Sequence, residues 1–142
     1  GYHFEPTGAI LTDNSVLTAV GDKEGHVWAA TGGSIMYTED GGKNFTVLKT
    51  INAKALGFGA PEKEGGYMTI YVMGNDNVSG NDTPHGDGIY RSTDKGKTWV
   101  RLNDDNHLFG NLTYSITGDS EVFGRVYFAT NGRGIVMGDV AK

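Results

Sequence analysis

The chain has 142 residues, enough for one domain with a sizeable core. Its 23 glycines against 3 unclustered prolines point to many tight turns and exclude a collagen-like or proline-rich disordered chain. With 17 acidic and 12 basic residues the formal charge is −5, so phosphate backbones and anionic membranes are poor partners, whereas a neutral polysaccharide is not penalised.

There is no cysteine, hence no disulfide framework, thiolate metal site or cysteine nucleophile. No apolar run approaches the roughly 18 residues that span a bilayer. The opening Gly1-Tyr2-His3 has neither methionine nor a signal-peptide pattern, as expected of a mature or excised segment.

Taken in chain order, the predicted elements repeat. Val16–Val20, Val27–Thr31, Ile35–Tyr37 and Phe45–Leu48 are short runs rich in β-branched and aromatic residues, separated by turns containing Gly, Asp and Lys. The order recurs as Ala55–Phe58, Thr69–Met73, Gly88–Arg91 and Trp99–Leu102, and begins again as Leu112–Ile116, Arg125–Thr130 and Gly134–Met137. Such runs are too short and too often broken by glycine to be helices, so the chain reads as all-β. Asp40 and Asp94 hold the same place in successive units, 54 residues apart. Propeller blades run about 40–50 residues, and the surplus falls in the polar stretch Asn75–Asp87, which replaces the short turn Thr31–Ser34.

The expected architecture is about three β-propeller blades, each a four-stranded antiparallel sheet, with units at roughly 16–50, 54–103 and 112–139. Residues 1–15 offer a further outer strand from the Tyr2–Ile10 region. It either completes the last blade or belongs to a blade whose remainder lies elsewhere. Closed propellers need about 4–8 blades, so three belong to something larger. Sheet faces left open invite association, and the expected partners are the rest of a longer polypeptide or other chains completing the ring.

The most informative motif is Ser92-Thr93-Asp94-Lys95-Gly96-Lys97-Thr98-Trp99, placed as a hairpin tip between the third and fourth strands of a blade. An aspartate there accepts hydrogen bonds from turn amides, Gly96 permits a positive φ, and Trp99 buries its ring beneath the turn. This is the Asp-box pattern S-x-D-x-G-x-T-W. Thr38-Glu39-Asp40-Gly41-Gly42-Lys43-Asn44-Phe45 is a softened copy in register. Both aspartates therefore read as turn-closing groups and not as catalytic acids.

Gly88–Asp94 with Trp99–Asp105, and Ile116–Asp119 with Gly124–Tyr127 and Thr130–Ile135, resemble the C-terminal end of the family 74 glycoside hydrolases, with His107 and Gly110 between the two stretches. Gly25–Ala29 and Tyr37–Phe45 match more loosely. The resemblance implies two seven-bladed propellers facing each other across an open cleft, and endo-acting, inverting cleavage of the β-1,4-glucan backbone of xyloglucan in a secreted enzyme. It implies that this chain is the last portion of the second propeller. The family's two catalytic aspartates come from early blades, and no position here matches their motifs. The alternatives are a non-catalytic Asp-box propeller serving as a binding or scaffold module, and a sialidase-like enzyme. The latter needs an arginine cluster that Arg91, Arg101, Arg125 and Arg133 do not suggest.

Candidate sugar-contacting residues are Tyr67, Asn103, Asp104, Phe109 and Tyr114, near loops or strand ends. Asp105, Asp119 and Arg133 share the loop setting, with turn solvation or ion pairing as the simpler role for each. Trp28 aligns with Tyr71 and Tyr127 in the second strand of each unit, which favours packing over a stacking platform. His3, His26, His85 and His107 show no metal-ligand spacing, and the loop Asn75–Asp82 lacks the EF-hand order, so neither metal nor cofactor is expected. Asn44, Asn77, Asn81 and Asn111 stand in glycosylation sequons that matter only in a eukaryotic secretory pathway.

Overall fold

The computed structural model describes residues 1–11, 14–82, 84–110 and 112–141, excepting the side chains of Thr113 and Tyr114. The strands are β1 (Val16–Ala19), β2 (Val27–Ala30), β3 (Ile35–Thr38), β4 (Thr46–Leu48), β5 (Asn52–Gly59), β6 (Thr69–Asn75), β7 (Asp87–Ser92), β8 (Val100–Arg101), β9 (Leu112–Gly118), β10 (Val126–Thr130) and β11 (Gly134–Gly138). They form three antiparallel sheets, β1–β4, β5–β8 and β9–β11, each meandering in chain order. Among the described residues there is no helix. The chain is therefore all-β, and its sheets are propeller blades.

Cross-strand register equates the repeats. Trp28 pairs with Thr18 and Tyr37, Tyr71 with Gly57 and Arg91, and Tyr127 with Thr117 and Met137. Side chains alternate across a strand, so Trp28 and Tyr71 each point to the next blade, and Tyr127 to the open outer face of the third sheet. Trp28 and Tyr71 are wholly buried, while Tyr127, on the last blade, is half-buried.

The middle blade is buried on both faces. Leu56, Phe58, Ile70, Val72 and Tyr90 pack with Trp28, Ala30 and Ile35 of the first blade. The alternate residues Ala55, Tyr71, Met73 and Ile89 pack with Ile116, Val126 and Phe128 of the third. Tyr37 stacks on Trp28, with ring centroids 4.4 Å apart. The outer faces stay open: Leu17 and Val47 on the first sheet, and Ile135 and Met137 on the third, remain exposed.

The blades come closest along their first strands. Thr18 Oγ1 donates to the Leu56 carbonyl of β5 at 3.1 Å. A Cβ on Gly57 would lie 2.3 Å from the Ile116 carbonyl oxygen of β9, and one on Gly59 2.8 Å from Gly118 Cα. Glycine at 57 and 59 is thus what lets β5 and β9 meet backbone to backbone.

The N-terminal segment stands outside the three sheets. Residues 1–11, 14 and 15 form no strand, and the third sheet has three strands. A strand needs a neighbouring edge for its backbone groups. The N-terminal segment has none beside it; Thr7, Ala9 and Leu11 lie instead against the outer face of the first sheet.

Candidate functional site

Each meander places its turns at two opposite ends. The β1–β2, β3–β4, β5–β6, β7–β8 and β9–β10 connections share one end; β2–β3, β4–β5, β6–β7, β8–β9 and β10–β11 share the other.

At the first end lie the two aspartate turns. Asp94 Oδ1 accepts from Ser92 Oγ (2.8 Å), Lys97 N (3.1 Å) and Thr98 N (2.9 Å), and Oδ2 accepts from Thr98 Oγ1 (2.6 Å). Asp40 repeats this with Thr38 Oγ1 (2.8 Å), Lys43 N (3.0 Å), Asn44 N (3.0 Å) and Asn44 Nδ2 (2.7 Å). Thr38 and Asn44 are therefore chemically sufficient stand-ins for Ser92 and Thr98. Partial burial pushes the Asp94 pKa up, but donation from Thr98, Ser92 and Lys97 outweighs it and holds it below the ordinary value. Asp40 is held far down, chiefly by the Asn44 amide.

The backbone within the turns is left-handed at two successive positions: Gly41 and Gly42 in one, Lys95 (φ 60°) and Gly96 (φ 76°) in the other. Lys95 is a side chain placed where its neighbouring repeat uses glycine, at a cost of roughly 1–2 kcal/mol. Its ammonium partly offsets this by pairing with Glu39 and lying over the Tyr67 ring at 5.0 Å, contacts worth about 0.5–1 kcal/mol each. Lys95→Gly is accordingly expected to change unfolding free energy by less than about 1 kcal/mol, in either direction. A loss above about 2 kcal/mol in a denaturant titration would show that the ammonium contacts dominate.

Trp99 and Phe45 close the turns differently. Trp99 Nε1 donates to Thr50 Oγ1 (3.0 Å), which donates to the Gly96 carbonyl (2.6 Å). Gly96 sits so close to Leu48 that a Cβ would meet Leu48 Cδ1 at 2.9 Å. The second turn is thereby bolted to the preceding blade. Phe45 instead lines a crevice shared with Thr7, Ala9 and Leu11.

The predicted sugar-contacting residues fall apart between the two ends. Tyr67 is at the aspartate-turn end, half-buried, its hydroxyl accepting from Trp28 Nε1 (3.0 Å) and bonded to His26 Nδ1 (3.1 Å). Burial raises its pKa. Asn103, Asp104 and Phe109 share the β8–β9 loop at the other end. Asn103 is buried, with Oδ1 accepting from Ile89 N (2.8 Å) and Nδ2 donating to the His107 carbonyl (3.2 Å). Phe109 packs edge-on against Phe128 at 4.8 Å. Asp104 is exposed and pairs with the His107 ring (2.6 Å) and the amides of Asn106 and His107, the ring contact doing most to lower its pKa. The side chain of Tyr114 lies outside the described residues, as does Asn111.

The structure adds residues at this second end that single positions in the sequence did not announce. The loop after β6 is wired through Asp76, which accepts from His85 N (2.7 Å) and Tyr90 Oη (3.1 Å) and pairs with His85 Nδ1 (2.7 Å). Burial raises the Asp76 pKa, but His85 and Tyr90 outweigh it and bring it down to about 2. Tyr90, buried and facing that carboxylate, is pushed up to about 12. Beside it, Asn75 and Lys54 both donate to Asp87, at 2.9 and 3.2 Å. Both groups were in view as loop composition; their convergence needed the β6–β7 register.

At the first end Asp119 accepts from Glu121 N (2.9 Å) and Val122 N (3.1 Å) and faces Arg125 at 3.7 Å, the Glu121 amide doing most to lower its pKa. Among the described residues no group of three or more His, Asp or Glu side chains is arranged to hold a metal ion.

No family model matches the chain. Over its whole length, however, it is 47% identical to xyloglucanase Xgh74A of Acetivibrio thermocellus. Over 85% of its length it is 36% identical to the oligoxyloglucan-reducing end-specific xyloglucanase of Emericella nidulans. In three dimensions it matches the GH74 enzyme of Niastella koreensis with a TM-score of 0.72 at 39% identity, over 86% of this chain. The chain belongs to glycoside hydrolase family 74. It spans 16% of the Acetivibrio relative, 15% of the Emericella one and 17% of the Niastella chain, so it corresponds to a small part of each family 74 protein. The GH74 xyloglucanase of Xanthomonas campestris matches more distantly, with a TM-score of 0.58 and 28% identity.

Proposed function

We propose that the chain is the C-terminal portion of the second propeller of a secreted, inverting, endo-acting xyloglucanase. It forms part of the cleft scaffold, and the catalytic aspartates lie elsewhere in the protein. The two aspartate turns are its Asp-boxes and serve the fold. The β6–β7 and β8–β9 loops, at the opposite end, are the parts that face substrate.

The observation that carries the reading is the 47% identity to xyloglucanase Xgh74A over the whole chain, which spans 16% of that protein; the electrostatics bear on where the catalytic pair lies. An inverting glycosidase needs a general acid whose pKa is raised, set about 6.5–9.5 Å from a carboxylate base. Every carboxylate with a resolved shift here is shifted the other way: Glu39, Asp40, Asp76, Asp87, Asp94, Asp104 and Asp119. Each accepts hydrogen bonds that favour its charged form. Such groups are anchors, and poor proton donors near neutral pH.

The test is the release of new reducing ends from xyloglucan, with cellulose as control. The chain alone is expected to release none. The chain carried in place of its matching stretch in Xgh74A is expected to release them from xyloglucan. Hydrolysis by the chain alone would place an acid–base pair among its own carboxylates. A folded but inactive chimera would favour a binding or scaffold module.

A further inference from the structure

We propose that Asn131, in the turn between β10 and β11, is a site of spontaneous covalent modification. Its side-chain amide condenses with the Gly132 main-chain nitrogen, and the ring so formed opens to aspartate or isoaspartate. This fate is independent of what the intact protein cleaves.

The chemistry needs only solvent water. The Gly132 nitrogen gives up its proton and attacks Asn131 Cγ. A C–N bond forms, the Cγ–Nδ2 bond breaks, and the amide nitrogen takes up a proton and leaves as ammonia. Water then opens one of the two C–N bonds of the five-membered imide. Breaking the new bond leaves aspartate on the ordinary main chain. Breaking the original peptide bond leaves isoaspartate, with the main chain rerouted through the side chain.

Three pairs in the chain join Asp or Asn to a following glycine: Asp40-Gly41, Asp87-Gly88 and Asn131-Gly132. Glycine puts no side chain in the way of the attack, but the nitrogen and the side-chain carbonyl must both be free to approach. In the first pair Gly41 N donates to the Gly25 carbonyl (3.0 Å), and the Asp40 carboxylate is held by Thr38, Lys43 and Asn44. In the second, Asp87 and Gly88 lie within β7, paired with Asn75 and Gly74 of β6, and the carboxylate accepts from Asn75 and Lys54. Donors, chiefly Asn44 and Asn75 respectively, also favour the charged form of both acids, and a carboxylate is a poorer acyl electrophile than an amide.

The third pair differs on each count. Residues 131–133 form the exposed tip that joins β10 to β11. Among the described residues, neither the Gly132 amide nor the Asn131 side chain has a hydrogen-bond partner. The bonds of the turn lie to either side, where Thr130 Oγ1 accepts from Arg133 N (3.2 Å) and donates to the Gly134 carbonyl (3.3 Å). Gly132, at φ 107°, occupies backbone space that glycine alone reaches easily, so the vulnerable pair is built into the turn.

Isoaspartate adds an atom to the main chain inside the hairpin that the Thr130–Gly134 pair closes. β11 is the edge of its sheet and is held there by β10 alone. Modification is therefore expected to loosen β11, and it adds a negative charge at the end that carries the β6–β7 and β8–β9 loops.

The test holds the folded chain, and in parallel the chain unfolded in urea, at mildly alkaline pH. Both are then digested with trypsin and read by mass spectrometry and isoaspartyl methyltransferase labelling. Cleavage after Arg125 and Arg133 isolates Asn131 as the sole amide side chain of peptide 126–133. In the folded chain the amide-to-acid mass gain and the label are expected in that peptide, and not in those carrying 40–41 or 87–88. Unfolding is expected to bring label to all three. Relative to fresh chain, β11 amides of the modified chain are expected to exchange at least about tenfold faster. A peptide 126–133 that reacts in urea but stays intact in the folded chain would overturn the assignment, as would equal labelling of 40–41 in the folded chain. Unchanged exchange in β11 after modification would overturn the loosening.

Discussion

Gly57→Ala is expected to cost about 3 kcal/mol or more of unfolding free energy, the upper end of what one added methyl does in a packed interior. The neighbour that the methyl meets is the Ile116 carbonyl at 2.3 Å, with Thr117 Cα at 2.8 Å. These are backbone atoms in the middle of β9 and cannot rotate aside as a side-chain tip would. Relief requires β5 and β9 to move apart, and that opens the cluster of Ala55, Tyr71, Met73, Ile116, Val126 and Phe128. Gly33→Ala is the control, since its Cβ meets nothing within 4 Å and its φ is not positive. A denaturant titration showing equal, small effects for both substitutions would mean that the second and third blades do not pack as described.

The second large effect is expected from Asp94→Ala. Two backbone amides and two hydroxyls lose their acceptor at once. With about 1 kcal/mol for each net hydrogen bond, somewhat more where the acceptor is charged, and a discount for partial exposure, the loss is about 2–3 kcal/mol. Asp40→Ala should cost less, because its turn closes on Phe45 and the N-terminal segment instead of a hydrogen-bonded bolt to a neighbouring blade. The effect carries a pH signature. The folded pKa of Asp94 is depressed, so its contribution is complete above the unfolded value of about 3.9 and is lost as pH falls from there through the folded pKa. The gap between wild type and Asp94→Ala should therefore be constant near neutrality and narrow below about pH 4. A gap unchanged down to pH 2 would assign the loss to packing and not to the carboxylate.

Strands were legible from the sequence because short β-branched and aromatic runs between glycine turns leave few other solutions. Trp28, Tyr71 and Tyr127 could be aligned because blade packing demands an aromatic at one register position. The aspartate turns were legible because all their chemistry lies within eight residues. Tyr67 was not: nothing near it in sequence says that Trp28 and His26, 39 and 41 positions away, converge on its hydroxyl. For Asn103 and Phe109 the sequence showed only a loop setting; it did not show that the loop folds back so that one bonds the Ile89 amide and the other packs on Phe128. Gly57 carried no signal either, since the reason for its missing side chain is a carbonyl 59 residues further on.

The bolt between the second turn and the blade before it has a bearing on synthesis. Leu48 and Thr50 precede Gly96 and Trp99 in the chain, just as Thr7 precedes Gly42. In both cases the surface that receives the turn leaves the ribosome before the turn does. A nascent chain can thus lock each blade onto one already made, with no wait for residues still to be translated. Growth becomes vectorial, and newly exposed sheet faces are capped in the order in which they appear.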